Sequence, residues 1–308
     1  MSQNAALSDV QLGHTGELDT AKIVPRPALL EVCSHGATHP GQVRLKNEDQ
    51  FLIAELTKTL CVRQSSLPQR QVQFSTERGY LFLVADGMGG HAGGQRASAL
   101  AVDTIEDFML NTLKWFFHLK GGEGDHALVE FQTALARADD RILREAGLHP
   151  ELHGMGTTLT MAYSIDPDLF VVHAGDSRCY LFRDRTLYRL TRDHTLVGEM
   201  LRQGALEPAQ AARHQLRHVI TNVIGGTKPG VQVEVHKVKL EPHDVLLLCS
   251  DGLTEMVPEQ EIAEVLHAEV EPSRACPRLI DRANERGGKD NVTVVVARYE
   301  EGRIPNDE

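Results

Sequence analysis

The chain has 308 residues, with 32 Lys and Arg against 43 Asp and Glu, so its formal net charge is −11. Apolar residues at 41% and charged residues at 24% are ordinary for a globular protein and argue against a disordered chain. The acidic balance disfavours binding to nucleic acid or to anionic membranes, because both carry phosphates that repel a negative surface. The five cysteines are scattered, and neither a signal peptide pattern nor an apolar run of about 18 residues is present, so we expect a cytoplasmic protein.

Residues 1–27 and 301–308 are polar and lack periodicity, and we expect both to be flexible tails around a domain spanning 28–300. Apolar segments with the lengths and alternation of β-strands recur within the domain. They are Tyr80–Ala85, Thr157–Tyr163, Leu169–Ala174, Val231–Leu240, Val245–Ser250 and Val292–Arg298.

Two pairs of helical segments separate groups of these strands. The first pair is Gly93–Leu110 and the apolar stripe from Leu128 to Ile142, and the second is Glu259–Glu269 and Ser273–Arg286. The connections between strands, for example around Asp184, are too short to contain crossover helices. The sequence therefore predicts an α+β fold with antiparallel sheets and segregated helices.

Two polar stretches have the character of surface insertions. Thr57–Glu77 is rich in Gln and Ser and is predicted to interrupt a hairpin. Trp115–Asp125 contains three glycines and is predicted to interrupt the first pair of helices.

Aspartates stand at the ends of three apolar strands. Asp86 follows the first strand and opens a glycine-rich run, Asp251 follows Val245–Ser250, and Asp290 comes just before the last strand. Each could be an ordinary turn residue. Three together instead indicate a cation site, and oxygen ligands without clustered Cys or His favour Mg²⁺ or Mn²⁺ over Zn²⁺.

A fourth cluster, Arg44, Asn47, Glu48 and Asp49, could be a solvated loop when taken alone. Beside a cation site, Arg44 becomes a candidate clamp for phosphate, because a guanidinium presents a fork of donors to phosphate oxygens.

Six short motifs follow one another along the chain. They are Arg44-x-x-Asn47-Glu48-Asp49, Val84-Ala85-Asp86-Gly87-Met88-Gly89-Gly90, Gly156-Thr157-Thr158, Gly175-Asp176-Ser177-Arg178, Ser250-Asp251-Gly252-Leu253 and Asp290-Asn291-Val292-Thr293. In this order they resemble the type 2C family of metal-dependent serine/threonine protein phosphatases, in its bacterial branch. The resemblance covers about residues 30–300 and implies a four-layer α-β-β-α sandwich of two packed antiparallel sheets flanked by pairs of helices.

The resemblance implies a role for each matching residue. Asp86 would bridge two cations, Mn²⁺ or Mg²⁺, with Glu48 and the Gly87 carbonyl on one of them. The second cation would be completed by Asp251 and Asp290, while Asp49 would support the ligands and Arg44 would bind the substrate phosphate. Asp176 would hold a third, weaker cation with Asp251, and its alternative is a turn aspartate.

The expected reaction is attack on phosphorus by a hydroxide that two cations, about 4 Å apart, generate from water. Animal members of the family carry a histidine at the position of Met88, and that histidine is credited with protonating the leaving group. Met88 cannot donate a proton, so the general acid stays open, with His91 as one candidate. The histidines His173 and His194 are expected to pack or cap, and Cys249 is expected to be a core residue.

The segment 195–225 resembles the flap that covers the active site in this family, and we expect it to influence substrate choice; an ordinary surface excursion is the alternative. The implied substrates are phosphoserine and phosphothreonine proteins, and the implied partner is a serine/threonine kinase. Three other functions stay open: a phosphatase for small phosphate esters, a pseudophosphatase that only binds phosphoproteins, and a metal-dependent nuclease, which the acidic charge disfavours.

Overall fold

The structure, a computed structural model, describes residues 30–64, 72–89, 93–112, 124–211 and 213–302. Within these ranges the chain forms two five-stranded sheets and one small three-stranded sheet. Sheet one contains, in spatial order, β1 (Leu30–His39), β13 (Val292–Glu301), β12 (Val245–Cys249), β8 (Arg178–Arg183) and β9 (Thr186–Arg189). Sheet two contains β11 (Glu234–Lys239), β7 (Asp168–Ala174), β6 (Leu159–Ile165), β3 (Val72–Ala85) and β2 (Gln50–Cys61). The small sheet contains β10 (Ile224–Gly225), β5 (Gly156–Thr157) and β4 (Gly87–Met88).

The paired strands of all three sheets run antiparallel, as the short connections predict. The helices are α1 (Gly93–Asn111), α2 (Gly124–Leu148), α3 (Leu196–Arg202), α4 (Pro208–Ala211), α5 (Asp251–Thr254), α6 (Glu259–Ala268) and α7 (Pro272–Glu285). In the described ranges no helix combines the length and the apolar character needed to cross a bilayer.

The two large sheets pack face to face, and their strands are apolar because both faces are covered. In β12, Leu246 and Leu248 point into the core between the sheets, while Leu247 points into the core beneath α6 and α7. In β3, Phe82 joins the core between the sheets and Leu83 joins the core beneath α1 and α2. The layers are therefore helices, sheet, sheet and helices, which confirms the predicted four-layer α+β sandwich.

The hairpin between β8 and β9 turns through two residues. Asp184 and Arg185 have φ angles of 50° and 61°, and Arg183 pairs with Thr186 across the turn. Two successive positive φ angles are typical of the tight turns that match the twist of paired strands. This is the short connection that the sequence predicts around Asp184.

The stretch Thr57–Glu77, predicted to interrupt a hairpin, instead extends both strands of the hairpin toward its loop. Thr57 pairs with Arg78, and after a register shift Cys61 pairs with Val72. Backbone pairing does not require apolar side chains, so the polar composition of this stretch concealed the strands. Several predicted features lie outside the described residues. They are residues 65–71 of this stretch, the tail through residue 29, the tail beyond residue 302, and most of the predicted insertion Trp115–Asp125.

Candidate metal centre

One end of sheet two brings two carboxylates together. The register of β2 and β3 places Gln50 opposite Ala85, so Asp49, just before β2, lies beside Asp86, just after β3. Burial raises the pKa of Asp86 well above its ordinary value, and the nearby charge of Asp49 raises it further. The two groups are thus held close together by backbone pairing, against their own repulsion.

Asp49 also joins the two sheets. Its Oδ2 accepts hydrogen bonds from Ser250 Oγ at 2.8 Å and from Thr293 Oγ1 at 2.7 Å, and both donors belong to the adjoining ends of β12 and β13. Its Oδ1 is buried and has no hydrogen-bond partner in the described part of the chain. Burial raises the pKa of Asp49 to about 6, even though the two hydroxyl groups favour its ionised form.

Two threonines fix the backbone of Asp86. Thr158 Oγ1 accepts a hydrogen bond from the Asp86 N–H at 3.0 Å, and the Asp86 carbonyl accepts from Thr157 Oγ1 at 2.8 Å and from the Thr158 N–H at 2.9 Å. Both threonines are buried. The two side chains therefore act on the position of Asp86 through its backbone.

Glu48 and the carbonyl of Gly87 border the same small space. A Cβ added to Gly94 would lie 2.3 Å from Glu48 Oε2 and 2.8 Å from the Gly87 oxygen, so residue 94 must be a glycine for both oxygens to approach. The Glu48 carbonyl accepts a 2.6 Å hydrogen bond from Ser98 Oγ of α1. Helix α1 thereby fixes the position of Glu48 from behind.

Asn291 anchors the loop that carries Arg44 and Glu48. Its Oδ1 accepts a 2.8 Å hydrogen bond from the Glu48 N–H, and its Nδ2 donates to the carbonyls of Pro40 at 3.0 Å and Lys46 at 2.8 Å. The side chain of Asn291 thus joins the start of β13 to the loop before β2. This arrangement also brings Arg44 Nη2 to 2.7 Å from Asp290 Oδ2.

Asp251 begins α5 directly after β12, and its carboxylate lies among other acidic groups. Burial raises its pKa well above the ordinary value, and the charges of Asp176, Glu255, Asp290 and Asp49 add to this effect. A site that crowds so many carboxylates is stabilised by positive charge, and divalent cations supply it.

Asp176 lies in the turn between β7 and β8. It is 8% exposed, and its Oδ1 has no hydrogen-bond partner among the described residues. Burial, followed by the charge of Asp193, raises its pKa to about 7. The turn itself is fixed by His194, whose N–H donates to the Gly175 carbonyl at 2.7 Å and whose Nδ1 accepts from the Gly175 N–H at 3.1 Å.

The donor set fits hard divalent cations. Carboxylate oxygens and one backbone carbonyl converge, and the buried oxygens Asp49 Oδ1 and Asp176 Oδ1 lack hydrogen-bond donors within the described ranges. Oxygen-only sites of this kind suit Mg²⁺ and Mn²⁺.

The segment predicted to be a flap lies beside this centre. It begins with α3 and α4, and its two ends are joined by the Thr195–Ile220 bridge and by a 2.8 Å hydrogen bond from the Leu196 N–H to the Val219 carbonyl. A cavity of about 200 Å³ separates the segment from the acidic cluster. Its lining includes Asp176, Asp251 and Glu255 on one side and Val197, Leu201 and His218 on the other.

A second group, His173, His194 and Glu234, has ligand-like spacing but is already hydrogen-bonded. His173 Nε2 lies 2.9 Å from the Arg192 carbonyl, which can only accept, so this nitrogen carries the proton. His194 Nδ1 accepts from Gly175, and Glu234 accepts from the opposite nitrogen at 3.2 Å. The packing and capping roles predicted for both histidines agree with these contacts.

The structure brings together the residues that the sequence singled out, namely Arg44, Glu48, Asp49, Asp86, Gly87, Asp176, Asp251 and Asp290. His91 lies outside the described residues. Cys249 is buried, and burial raises the pKa of its thiol to about 12, so it is the predicted core residue.

Sequence reasoning missed the anchoring by Asn291, although it stands inside a quoted motif. It also missed His218 and Glu255, which belong to no motif.

Comparison with known proteins agrees with this geometry. The family described as protein phosphatase 2C matches residues 60–281. The serine/threonine phosphatase stp of Listeria monocytogenes is 36% identical over 220 residues, which are 70% of this chain and 83% of that protein.

Two solved structures are also similar. The Mycobacterium tuberculosis serine/threonine phosphatase PstP/Ppp has a TM-score of 0.70 and 31% identity, and the match covers 88% of this chain and 100% of that one. The catalytic domain of PstP in complex with two manganese ions has a TM-score of 0.68 and 29% identity, over 88% and 100% of the two chains. The chain described here belongs to the protein phosphatase 2C family of metal-dependent serine/threonine protein phosphatases.

Proposed function

We propose that this chain hydrolyses phosphoserine and phosphothreonine in proteins at the cluster formed by Glu48, Asp49, Asp86, Asp251 and Asp290. The observation that carries the proposal is the meeting of these five carboxylates at adjoining strand ends, with the Arg44 guanidinium 2.7 Å from Asp290. Family membership supports the reaction, and the geometry supports the assignment of residues to it.

Asp86 would contact both cations, because it directly follows β3 and the carboxylates of both sheets act on its pKa. Glu48 and the Gly87 carbonyl would hold one cation, since both oxygens border the space next to Gly94. Asp251 and Asp290 would hold the other. When bound, two divalent cations would lower the pKa of an attacking water and offset charge on the phosphoryl oxygens.

Arg44 would bind the phosphoryl oxygens and orient phosphorus for attack from one side. Its side chain is 58% exposed, so a substrate can reach it, and its hydrogen bond to Asp290 directs it toward the acidic cluster. A guanidinium so placed stabilises the charge that gathers on the phosphoryl group in the transition state. Asp49 would act indirectly, by holding the surroundings of Asp86 with the aid of Ser250 and Thr293.

The cations would be Mn²⁺ or Mg²⁺, two in each site, with a third, weaker one held by Asp176 and Asp251. The two manganese ions in the PstP complex support the pair. Oδ1 of Asp176, which has no hydrogen-bond partner in the described part of the chain, supports the third, because a buried carboxylate oxygen without a donor is stabilised by a cation.

The substrates would be phosphoproteins in the cytoplasm, and a cognate serine/threonine kinase would be the partner whose action is reversed. Several relatives are named as serine/threonine phosphatases, which supports a protein substrate and a signalling role. Substrate choice would depend on the segment from Thr195 to Gly225, since it borders the cavity next to the acidic cluster.

A comparison of substrates tests this function. At saturating Mn²⁺, we expect kcat/KM for a phosphothreonine peptide to exceed that for glucose 6-phosphate by at least about tenfold. Equal or inverted values would point to a phosphatase for small esters. Tight binding of the peptide without turnover under any cation would point to a phosphoprotein-binding module.

A further inference from the structure

The segment from α3 to β10, proposed to act as a flap, carries a histidine to the edge of the acidic cluster. His218 Nδ1 lies 2.7 Å from Oε1 of Glu255, the residue directly after α5. The potential ligand atoms of His218, Glu255 and Asp251 all lie within 4.8 Å of one another. The imidazole is 46% exposed, so it is not fixed there by packing.

The same cavity is lined by a buried carboxylate, one oxygen of which has no hydrogen-bond donor among the described residues. Asp176 lines the cavity together with His218, Asp251 and Glu255. Its Oδ1 is buried without a hydrogen-bond partner in the described part of the chain. The cavity is therefore lined by a carboxylate with one oxygen that no donor in the described ranges satisfies, and this observation is independent of the His218 contacts.

The spacing suits one ion. Small divalent cations hold nitrogen and oxygen ligands at about 2.0–2.2 Å, so ligands on opposite sides of one ion are about 4.2 Å apart. The three ligand atoms lie within 4.8 Å of one another. Small side-chain rotations that move these atoms by a few tenths of an ångström would bring them within ligand distance of one ion. The hydrogen bond between His218 and Glu255 would open in the process.

We propose that His218 and Glu255 are additional ligands of the third cation held by Asp176 and Asp251, and that the imidazole makes this site prefer Mn²⁺ over Mg²⁺. This inference rests on the proposed third cation of the phosphatase centre. Imidazole nitrogen favours transition metals, whereas Mg²⁺ takes oxygen ligands almost exclusively.

His218 connects the proposed cation site to the flap. Asp251 and Glu255 lie on the body of the domain and Asp176 lies in the β7–β8 turn, but His218 lies on the flap, two residues before the Ile220 bridge. When the flap is closed, with His218 beside Glu255, a cation can bind all four side chains. When the flap is open it loses His218, so it binds more tightly to the closed state. Occupancy of the site therefore stabilises the closed flap, and Mn²⁺ does so at lower concentration than Mg²⁺.

Electron spin-echo spectroscopy of the Mn²⁺-loaded chain gives the direct test, because it detects ¹⁴N of an imidazole bound to manganese. We expect nitrogen coupling at the Mn²⁺ concentration that fills the weakest site, its loss in His218→Ala, and its retention in His214→Ala, which removes a neighbouring imidazole of the same segment. No nitrogen coupling in the wild type, or coupling that persists in His218→Ala, would overturn the assignment.

Hydrogen exchange of residues 196–219 tests the consequence for the flap. Mn²⁺ should slow exchange in the wild type and in His214→Ala at a concentration about tenfold lower than Mg²⁺ requires, and His218→Ala should lose this difference. If Mn²⁺ and Mg²⁺ slow exchange in the wild type at the same concentration, the proposal is contradicted. Neither measurement depends on turnover, so a failure here is distinct from a failure of the phosphatase function.

Discussion

The guanidinium of Arg44 donates a 2.7 Å hydrogen bond to Asp290, although 246 residues separate the two in sequence. The side chains are 58% and 39% exposed, and an exposed pair of this kind stabilises a fold by only about 0–1 kcal/mol. The pair therefore matters for position: it places a phosphate-binding group against a proposed cation ligand.

Replacing Arg44 tests that role. Arg44→Gln should lower kcat/KM for a phosphopeptide by about 100-fold, because one preorganised donor to the phosphoryl oxygens is lost, while Mn²⁺ affinity should stay within about twofold. Arg44→Lys should recover only part of the loss, since an ammonium lacks the planar fork. Arg78→Gln, which breaks another exposed pair, with Glu55, is the matched control and should leave both quantities unchanged. A large loss of Mn²⁺ affinity in Arg44→Gln would show that Arg44 acts on the cation ligands instead.

Gly94 offers a test of the Glu48 site that separates helix stability from cation binding. Gly94→Ala should weaken Mn²⁺ binding by at least about tenfold, because the new methyl group would lie 2.3 Å from Glu48 Oε2. Gly147→Ala in α2 meets no atom within 4 Å and should stabilise the fold by up to about 1 kcal/mol, the ordinary gain of alanine over glycine in a helix. Calorimetric Mn²⁺ titration and thermal unfolding measure the two effects. If Gly94→Ala binds Mn²⁺ as tightly as the wild type does, Glu48 is not a cation ligand.

Asp49→Asn should have opposite effects on cation binding and on stability. Mn²⁺ affinity should fall by about 10- to 100-fold, as expected when a residue that supports metal ligands is changed. The metal-free protein should become more stable above pH 6, since a buried carboxylate with a pKa raised to about 6 is removed.

Asp139→Asn is the control for Asp49→Asn. Asp139 is a buried carboxylate that accepts backbone hydrogen bonds from Gly225 at 2.6 Å and Gly230 at 2.9 Å. Its replacement should lower stability and leave Mn²⁺ affinity unchanged. The same Mn²⁺ affinity in Asp49→Asn as in the wild type would mean that Asp49 only supports the fold.

The stability of the metal-free protein should depend on pH in a defined direction. Burial raises the pKa values of Asp49 and Asp176 to about 6 and about 7 from an ordinary value of 3.8. Such groups bind more protons in the folded state than in the unfolded chain, so their contribution to the free energy of unfolding falls as pH rises from about 4 to about 7. With EDTA present, the unfolding temperature should decrease across this window, and saturating Mn²⁺ should reverse the trend. A metal-free unfolding temperature that rises from pH 5 to pH 7 would contradict the crowding of these carboxylates.

Much of the fold and of the centre could be predicted because local sequence encodes it. Asp86 and Asp251 directly follow apolar strands and Asp290 stands two residues before one, so each aspartate had to lie at a strand end. The turn at Asp184 and Arg185 could be predicted because short connections force neighbouring strands to pair.

Other features depend on tertiary contacts that leave no local pattern. His218 and Glu255 meet only because the flap returns to the end of α5. Glu255 stands four residues after the predicted ligand Asp251, but the sequence around His218 gives no such signal. The extension of β2 to Cys61 and the early start of β3 at Val72 were missed because polar strand segments lack the apolar alternation that identifies buried ones.

The most direct test of the central claim is hydrolysis of a phosphothreonine peptide by the wild type and by Asp251→Asn, with and without Mn²⁺, together with the number of Mn²⁺ ions bound. The account predicts turnover that requires Mn²⁺, at least two ions bound by the wild type, and a fall in kcat of about 100-fold or more in Asp251→Asn with at least one ion lost. Turnover that survives EDTA, or an Asp251→Asn variant that binds Mn²⁺ and turns over like the wild type, would contradict it.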